Sequence, residues 1–277
     1  DDMEDLKVLA KNELGETAEV RRESLAELNK LLDENSHVRI PRDDYILLMF
    51  LRVRKFNVPG ALRTIKRYVR ARRDIPEYFD NLTPSSIPYQ AVFNEHKIIK
   101  YPKERDSQGR AVAYVNFGAW SPSICSMDDL ARCVLVGLES GLLDEEIQIR
   151  GGVAIVDLKG FCARHLIQLT PKFARKAIML AQDTMPVRIK GVYFINCPPV
   201  TETLYGLVKS FLSEKLQKRL RFIGSDLTEL CGDIPAEILP EEFGGKPERF
   251  DFDRQEKVFL GNADHFEKML SCSYKEQ

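Results

Sequence analysis

Two stretches, Gly152-Val153-Ala154-Ile155-Val156-Asp157-Leu158 and Ile189-Lys190-Gly191-Val192-Tyr193-Phe194-Ile195, decide the fold. Each is a short, nearly continuous apolar run, the pattern of a strand covered on both faces. Between them Thr170-Pro171 offers a capping hydroxyl and a proline for the first helical position, which starts a helix running to about Asp183. Strand, helix, strand in this order is the building unit of a parallel sheet. Working outward, Ile98–Tyr101 and Ala111–Phe117 read as strands on either side of the turn Asp106-Ser107-Gln108-Gly109. Asp128–Glu145 reads as a helix and Arg221–Ile223 as a short last strand. The expectation is an α/β layer with a mainly parallel sheet.

Upstream the pattern is helical. Thr17–Leu32 carries Val20, Leu28, Leu31 and Leu32 among charges. Asp43 or Asp44 can cap Tyr45–Lys55, whose centre is Ile46-Leu47-Leu48-Met49-Phe50-Leu51. Pro59 opens Gly60–Asp74, with Leu62, Ile65 and Val69 on one stripe and arginines on the other. These make a three-helix N-terminal unit. Leu82–Pro88, holding Pro84 and Pro88, is turn-like and marks a boundary. The chain divides into a helical unit at 1–82, the α/β unit at 83–248 and an extension at 249–277, expected to pack on the surface because its periodicity is weak.

Composition narrows the function. Of 277 residues, 44% are hydrophobic and 30% charged, which is ordinary for a globular protein able to bury a core. No apolar run approaches the ~18 residues that a membrane span requires. The six cysteines (Cys125, Cys133, Cys162, Cys197, Cys231, Cys272) show no C-x-x-C spacing, so reduced thiols and no zinc site are expected. The net charge of -1 hides segregation: Asp1–Ser36 holds 11 acidic and 5 basic residues, whereas Arg52–Arg73 holds 9 basic and no acidic ones. Such segregation generally presents one positive surface.

Asp183–Gly224 combines that charge with an apolar helix. In Thr201–Leu212 the residues Leu204, Leu207, Val208, Phe211 and Leu212 recur at helical spacing and form one face. Arg188 and Lys190 precede it, two apart on a strand and so on one side; Lys215 and Arg219 follow it, four apart on a helix and so neighbours. An apolar face beside converging cations suits contact with an anionic bilayer and exchange of something oily. Ordinary core packing and solvated charge are the alternative.

Chemistry is sparse. Neither nucleotide-binding glycine fingerprint is present, and Gly137-Leu138-Glu139-Ser140-Gly141 places its serine one position out of register for a nucleophile elbow. His37, His96, His165 and His265 are scattered. Asp157 with Lys159 at a strand end is read as a structural tie rather than an acid–base pair. No RNP-like or helix-turn-helix signature accompanies the basic segment. The expectation is no enzyme, no cofactor, no metal and no nucleic acid.

Six segments in order resemble the CRAL-TRIO lipid-transfer family, in the branch of tocopherol- and retinaldehyde-binding proteins and clavesins. They are Phe50–Phe56, Val156–Gly160, Asp183–Gly191, Phe194-Ile195-Asn196, Phe211–Lys215 and Leu239–Gly245. The resemblance implies a sheet flooring an apolar cavity, closed by a helical gate on Asn196–Lys218. It implies pocket residues Ala131, Val134, Leu138, Val156, Ala181, Met185, Val187 and Val192, the gate face named above, and phosphoinositide contacts from Arg188, Lys190, Lys215 and Arg219, with Arg52 as a fifth. Val134 and Leu138 stand where tocopherol-binding relatives offer serine hydroxyls, a departure that bears on the ligand. The function implied is a monomeric cytoplasmic carrier of a retinoid, tocopherol or similar lipid, exchanging it at phosphoinositide-containing, for example endosomal, membranes. The alternative is a phosphoinositide-binding adaptor in endosomal traffic.

Overall fold

A computed structural model describes residues 2–224, 226–246 and 250–276. The N-terminal part holds α1 (Asp2–Leu14), α2 (Ala18–Glu34), β1 (Val38–Arg39), α3 (Asp44–Val53), α4 (Val58–Asp74) and the single turn α5 (Pro76–Phe79). Its helices start where side chains accept the free amides of the first turn. Thr17 accepts from Val20 N at 3.1 Å and Asn57 from Gly60 N at 2.9 Å. Asp43 sits at the cap position of α3 but makes no capping bond; its carboxylate takes Lys268 Nζ at 2.8 Å instead. A helix at the extreme N-terminus was not expected, because Asp2–Leu14 packs only a small cluster of Ala10, Leu14 and Ile149.

The α/β part follows as β2 (Ile99–Lys100), β3 (Ala111–Asn116), α6 (Met127–Gly141), α7 (Glu145–Arg150), β4 (Gly152–Asp157), α8 (Ala163–Leu166), α9 (Pro171–Ala181) and β5 (Ile189–Ile195). Then come α10 (Val200–Val208), α11 (Glu214–Arg219), β6 (Leu220–Phe222) and α12 (Thr228–Cys231). The sheet order is β2-β3-β4-β5-β6, with β2 antiparallel and the other neighbours parallel. This is the mixed α/β architecture with a mainly parallel sheet that the alternation predicts. Thr170 caps α9 as read, accepting from Phe173 N at 3.1 Å.

The two faces of the sheet differ. On the back face Val112, Tyr114, Val153, Ile155, Tyr193 and Ile195 are buried against Ile223, Leu227, Leu230, Ile234, Ile238 and Leu239. On the front face the alternate residues Ala113, Val115, Ala154, Val156, Val192 and Phe194 are only half-buried. The strands therefore alternate in burial, although their sequence is apolar on both sides.

The C-terminal residues correct an expectation. They form α13 (Phe252–Gly261), α14 (Ala263–Met269) and β7 (Ser273–Tyr274), and Phe252, Phe259, Phe266 and Met269 enter the large core shared with α2, α3, α4 and α6. β7 pairs antiparallel with β1, so the extension closes onto the N-terminal unit rather than lying on the surface. Its first residue, Arg249, lies outside the described residues. Among the described residues no helix is long and apolar enough to cross a membrane.

Candidate functional site

The front face of the sheet is apolar and half-buried, with Tyr205 of α10 against Phe222 at its edge. On α6 the residues Ala131, Val134 and Leu138, at i, i+3 and i+7, are half-buried, while Leu130, Cys133, Leu135 and Val136 beside them are buried in the core. All three of these half-buried residues nevertheless pack against the large core, as Val187 does. Neither α9 nor α10 contains a buried residue. The expected pocket residues divide accordingly. Val156 and Val192 lie on the half-buried sheet face, and Ala181 is exposed at the end of α9. Met185 is buried in the large core and Val187 packs against it, which makes both core residues in this structure. A separate open groove of about 480 Å³ lies near the end of α2, lined by Leu32, Val38, Ile40, Pro41 and the Arg42–Asp33 pair, among others. It includes none of the expected site residues.

Sequence reasoning missed the aromatic part of the front side. Phe194 stacks on Phe222 with centroids 5.0 Å apart, and Tyr205 of α10 reaches Phe222 at 4.9 Å. Phe194 was legible: it shares strand parity with Val192.

The gate segment departs from a single amphipathic helix. α10 stops at Val208, and Lys209–Phe211 forms one turn of 3₁₀ helix. Three residues per turn instead of 3.6 shift the phase of everything beyond Val208. Leu212 consequently turns inward and is buried, whereas Leu207 and Phe211 are 66% and 70% exposed and Leu204 and Val208 half-buried. The five residues share no common environment, and the apolar edge of this segment faces outward. Gln182, at the end of α9, holds the far end of the segment. Its amide Nε2 donates to Phe211 O at 3.3 Å, and its Oε1 accepts from Ser213 N at 2.6 Å.

Four of the expected cations share one electrostatic neighbourhood. Burial, then repulsion from Arg188, pushes the Lys190 ammonium down to about 8; Arg219 and Lys55 add to this and Glu13 opposes it. Burial and repulsion from Arg219, Lys55 and Arg54 likewise depress Lys215, against attraction to Asp183. Arg219 is depressed by burial and by Arg188. Mutual repulsion of this kind marks a concentration of positive charge that Glu13 and Asp183 offset only in part. Its members are held from below. The Arg188 guanidinium donates to Ile149 O and pairs with Glu13 at 3.1 Å, and Arg219 donates to Ile189 O. Ser213 caps α11 by accepting from Leu216 N, which fixes the helix bearing Lys215 and Arg219.

Arg52 does not join them. It is buried in the core, its Nε and Nη2 donating to Glu16 at 2.9 and 2.7 Å, Nη2 also to Glu145 at 2.5 Å and Nη1 to Gln148 at 2.8 Å. Burial works against the Glu16 carboxylate, but hydrogen bonds and charge from Arg52, then Arg21, hold it below the usual range. The cations contributed by this stretch are instead Arg54 and Lys55, just past the end of α3. α3 ends at Val53, so Arg52 is still on its buried side whereas Arg54 and Lys55 follow where the chain leaves the helix.

Asp157 ties strand ends. Its carboxylate accepts from Tyr114 Oη at 2.5 Å, Lys159 N at 2.9 Å and Asn196 Nδ2 at 2.9 Å, linking β3, β4 and β5. Lys159 Nζ turns away to Glu242 at 3.3 Å. His165 is buried, with Nδ1 accepting from Cys162 N at 3.0 Å and Nε2 donating to Trp120 O at 2.6 Å. With its acceptor and donor both used, it is a packing residue.

Residues 95–245 match the family model of the CRAL/TRIO domain, more than half of the chain. The chain belongs to the CRAL/TRIO domain family. The alpha-tocopherol transfer protein-like protein of Mus musculus is 34% identical over 96% of this chain and 77% of its own length. Clavesin-1 of Rattus norvegicus is 31% identical over 91% of this chain and 71% of its own. Among solved structures, the crystal structure of Sfh5 covers 87% of this chain and 92% of its own at 14% identity, with a TM-score of 0.43. The CRAL/TRIO segment Leu239–Gly245 has a physical reason for its glycines. Gly244 adopts φ +91°, and a Cβ on Gly245 would fall 1.5 Å from Leu239 O. Only glycine lets this turn close over the back of the sheet.

Proposed function

We propose that this chain carries a hydrophobic small molecule against the front face of its sheet and exchanges it at phosphoinositide-containing membranes. Family membership carries the coarser statement, that it is a lipid-binding protein of the transfer type. The observation that supports the finer reading is the contrast between the two sheet faces: one buried against Ile223, Leu227, Leu230, Ile234, Ile238 and Leu239, the other apolar and half-buried, with Tyr205 of α10, a helix without a buried residue, at its edge. The name of the Mus musculus relative supports a tocopherol-sized ligand. Val134 and Leu138 leave the α6 stripe without a hydroxyl there, which favours a ligand with little polarity at that end.

The energetics suit a shuttle. A ligand of ~20 carbons gains roughly 16 kcal/mol on leaving water, at about 0.8 per methylene, and a bilayer offers much the same. Pocket and membrane are then near balance, and the barrier is the gate. Leu207 and Phe211, exposed here, each gain roughly 1.5–3 kcal/mol on full burial, whether inside the protein or among acyl chains. Arg188, Lys190, Lys215 and Arg219, with Arg54 and Lys55, supply the anion-binding rim. Each cation contributes about 1 kcal/mol at most near an anionic leaflet, which gives reversible docking. A headgroup that binds the gate-open form better shifts the population toward release by that difference in affinity. The setting proposed is the cytoplasm, with transient association to phosphoinositide-rich membranes.

The test is transfer of a fluorescent apolar ligand from the protein to vesicles with and without phosphoinositide. Lys215→Ala with Arg219→Ala should abolish the phosphoinositide-dependent acceleration while leaving thermal unfolding unchanged. Equal acceleration in wild type and variant would remove the headgroup from the mechanism.

A further inference from the structure

We propose that the outer face of α4 is a second docking surface for anionic bilayers, independent of any specific headgroup. The inference rests on the reading above only in taking the exposed gate end to meet a membrane. The inner face of α4 is core: Ala61, Leu62, Ile65, Tyr68 and Val69 are buried. The outer face is a run of cations. Arg63, Arg67 and Arg70, at i, i+4 and i+7, are exposed, and Lys66 is half-exposed among them, so the stripe extends over about 10 Å.

This stripe is not neutralised from within its own helix; Arg67 pairs with Asp183 and Arg70 donates to Tyr274 Oη at 2.7 Å, which leaves Arg63 and Lys66. The only carboxylate of α4 is Asp74, its last residue, so Arg63, Lys66 and Arg67 have no acidic partner one turn away. α2, by contrast, intersperses Glu19, Glu23 and Glu27 with Arg21, Arg22 and Lys30. Like charges one turn apart destabilise a helix by a few tenths of a kcal/mol per pair, and a polyanionic partner reverses that sign. Among the described residues no ion pair engages Arg63 or Lys66.

Placement selects the partner. The Asp183 carboxylate sits between the stripe and the cation cluster, with Oδ1 3.4 Å from Arg54 Nη1 and Oδ2 3.4 Å from Arg67 Nη1. The residue before it, Gln182, holds Phe211 O and Ser213 N. One two-residue turn thus joins the basic stripe, the headgroup cluster and the exposed Phe211 edge. Diffuse positive charge adjoining an exposed apolar edge, with no enclosed groove, is the surface a bilayer accepts: cations at the phosphate level and the aromatic ring at the acyl boundary.

The test uses the full chain and vesicles of phosphatidylcholine with about a third phosphatidylserine and no phosphoinositide, at roughly 0.1 M salt. Arg63→Gln with Lys66→Gln should lower partition roughly ten-fold and flatten its salt dependence. The charge-matched pair Arg22→Gln with Lys30→Gln on α2 should stay within about two-fold of wild type, and Arg63→Lys with Lys66→Arg should retain full partition. No loss in the first variant, or equal loss in the α2 control, would overturn the proposal. So would wild type that ignores these vesicles yet binds single-stranded DNA through Arg63 and Lys66. If phosphoinositide adds nothing to wild-type partition while the Arg63/Lys66 dependence holds, the headgroup reading falls and the α4 surface stands.

Discussion

Two arginines two positions apart, Arg52 and Arg54, lie in opposite environments in this chain. Arg52 is enclosed by Glu16, Glu145 and Gln148, whereas Arg54 stands at the edge of the cation cluster with Asp183. Removing one partner of a buried ion pair leaves the other uncompensated, at a cost of about 3–5 kcal/mol. Arg52→Met should lower unfolding free energy by that order, whereas Arg54→Gln should leave it within about 0.5 kcal/mol and weaken anion binding instead; denaturant titration and vesicle sedimentation separate the two. The family resemblance put Arg52 beside the four other cations as a fifth contact; every residue from Ile46 to Arg52 is buried, so its guanidinium is spent inside the protein. Lys190 gives a pH signature. Partial burial, then crowding by Arg188, Arg219 and Lys55, holds its free pKa down at about 8, and a bound phosphate restores the charge and raises it. A raised pKa in the bound state means that the contribution to binding is complete below about pH 8 and is lost as pH rises through the bound value. Vesicle affinity should therefore begin to fall near pH 8 in wild type, and Lys190→Arg should hold its affinity to about two units higher. Identical pH profiles would remove Lys190 from the site.

At the scale of elements, legibility followed pattern length. β5 is Ile189–Ile195 as read, and α9 begins after the Thr170 cap as read, because seven apolar residues or a cap followed by proline are strong local signals. β1 and β7 are two residues each and pair across more than two hundred positions, which no local pattern announces. The C-terminal helices were read as surface because their buried residues, Phe252, Phe259, Phe266 and Met269, recur about once every two turns. The gate was half-legible. Its apolar spacing is real, but the 3₁₀ turn at Lys209–Phe211 moves Leu212 inside and leaves Phe211 outside. Its clamp, Gln182, is a polar residue at a helix end with no motif around it, and only the fold brings it to Phe211 and Ser213.

For the whole molecule, a single arrangement joins the candidate functions. The N-terminal unit, α6 and the C-terminal helices share one core, and the back of the sheet is sealed separately by Ile223–Leu239. The front of the sheet is the half-buried apolar face on which a ligand is proposed to sit, and the basic cluster lies at the N-terminal end of β5, where Arg188 and Lys190 flank Ile189. A carrier and a membrane adaptor differ in whether that front space is used. Wild-type protein, and a variant with Leu138→Trp and Val192→Trp, can be purified natively, extracted with organic solvent and analysed by mass spectrometry alongside vesicle binding. The account predicts a near-stoichiometric apolar compound from wild type and none from the variant, with anionic-vesicle binding intact in both. The same yield of apolar compound from the two proteins, or none from either, would contradict it.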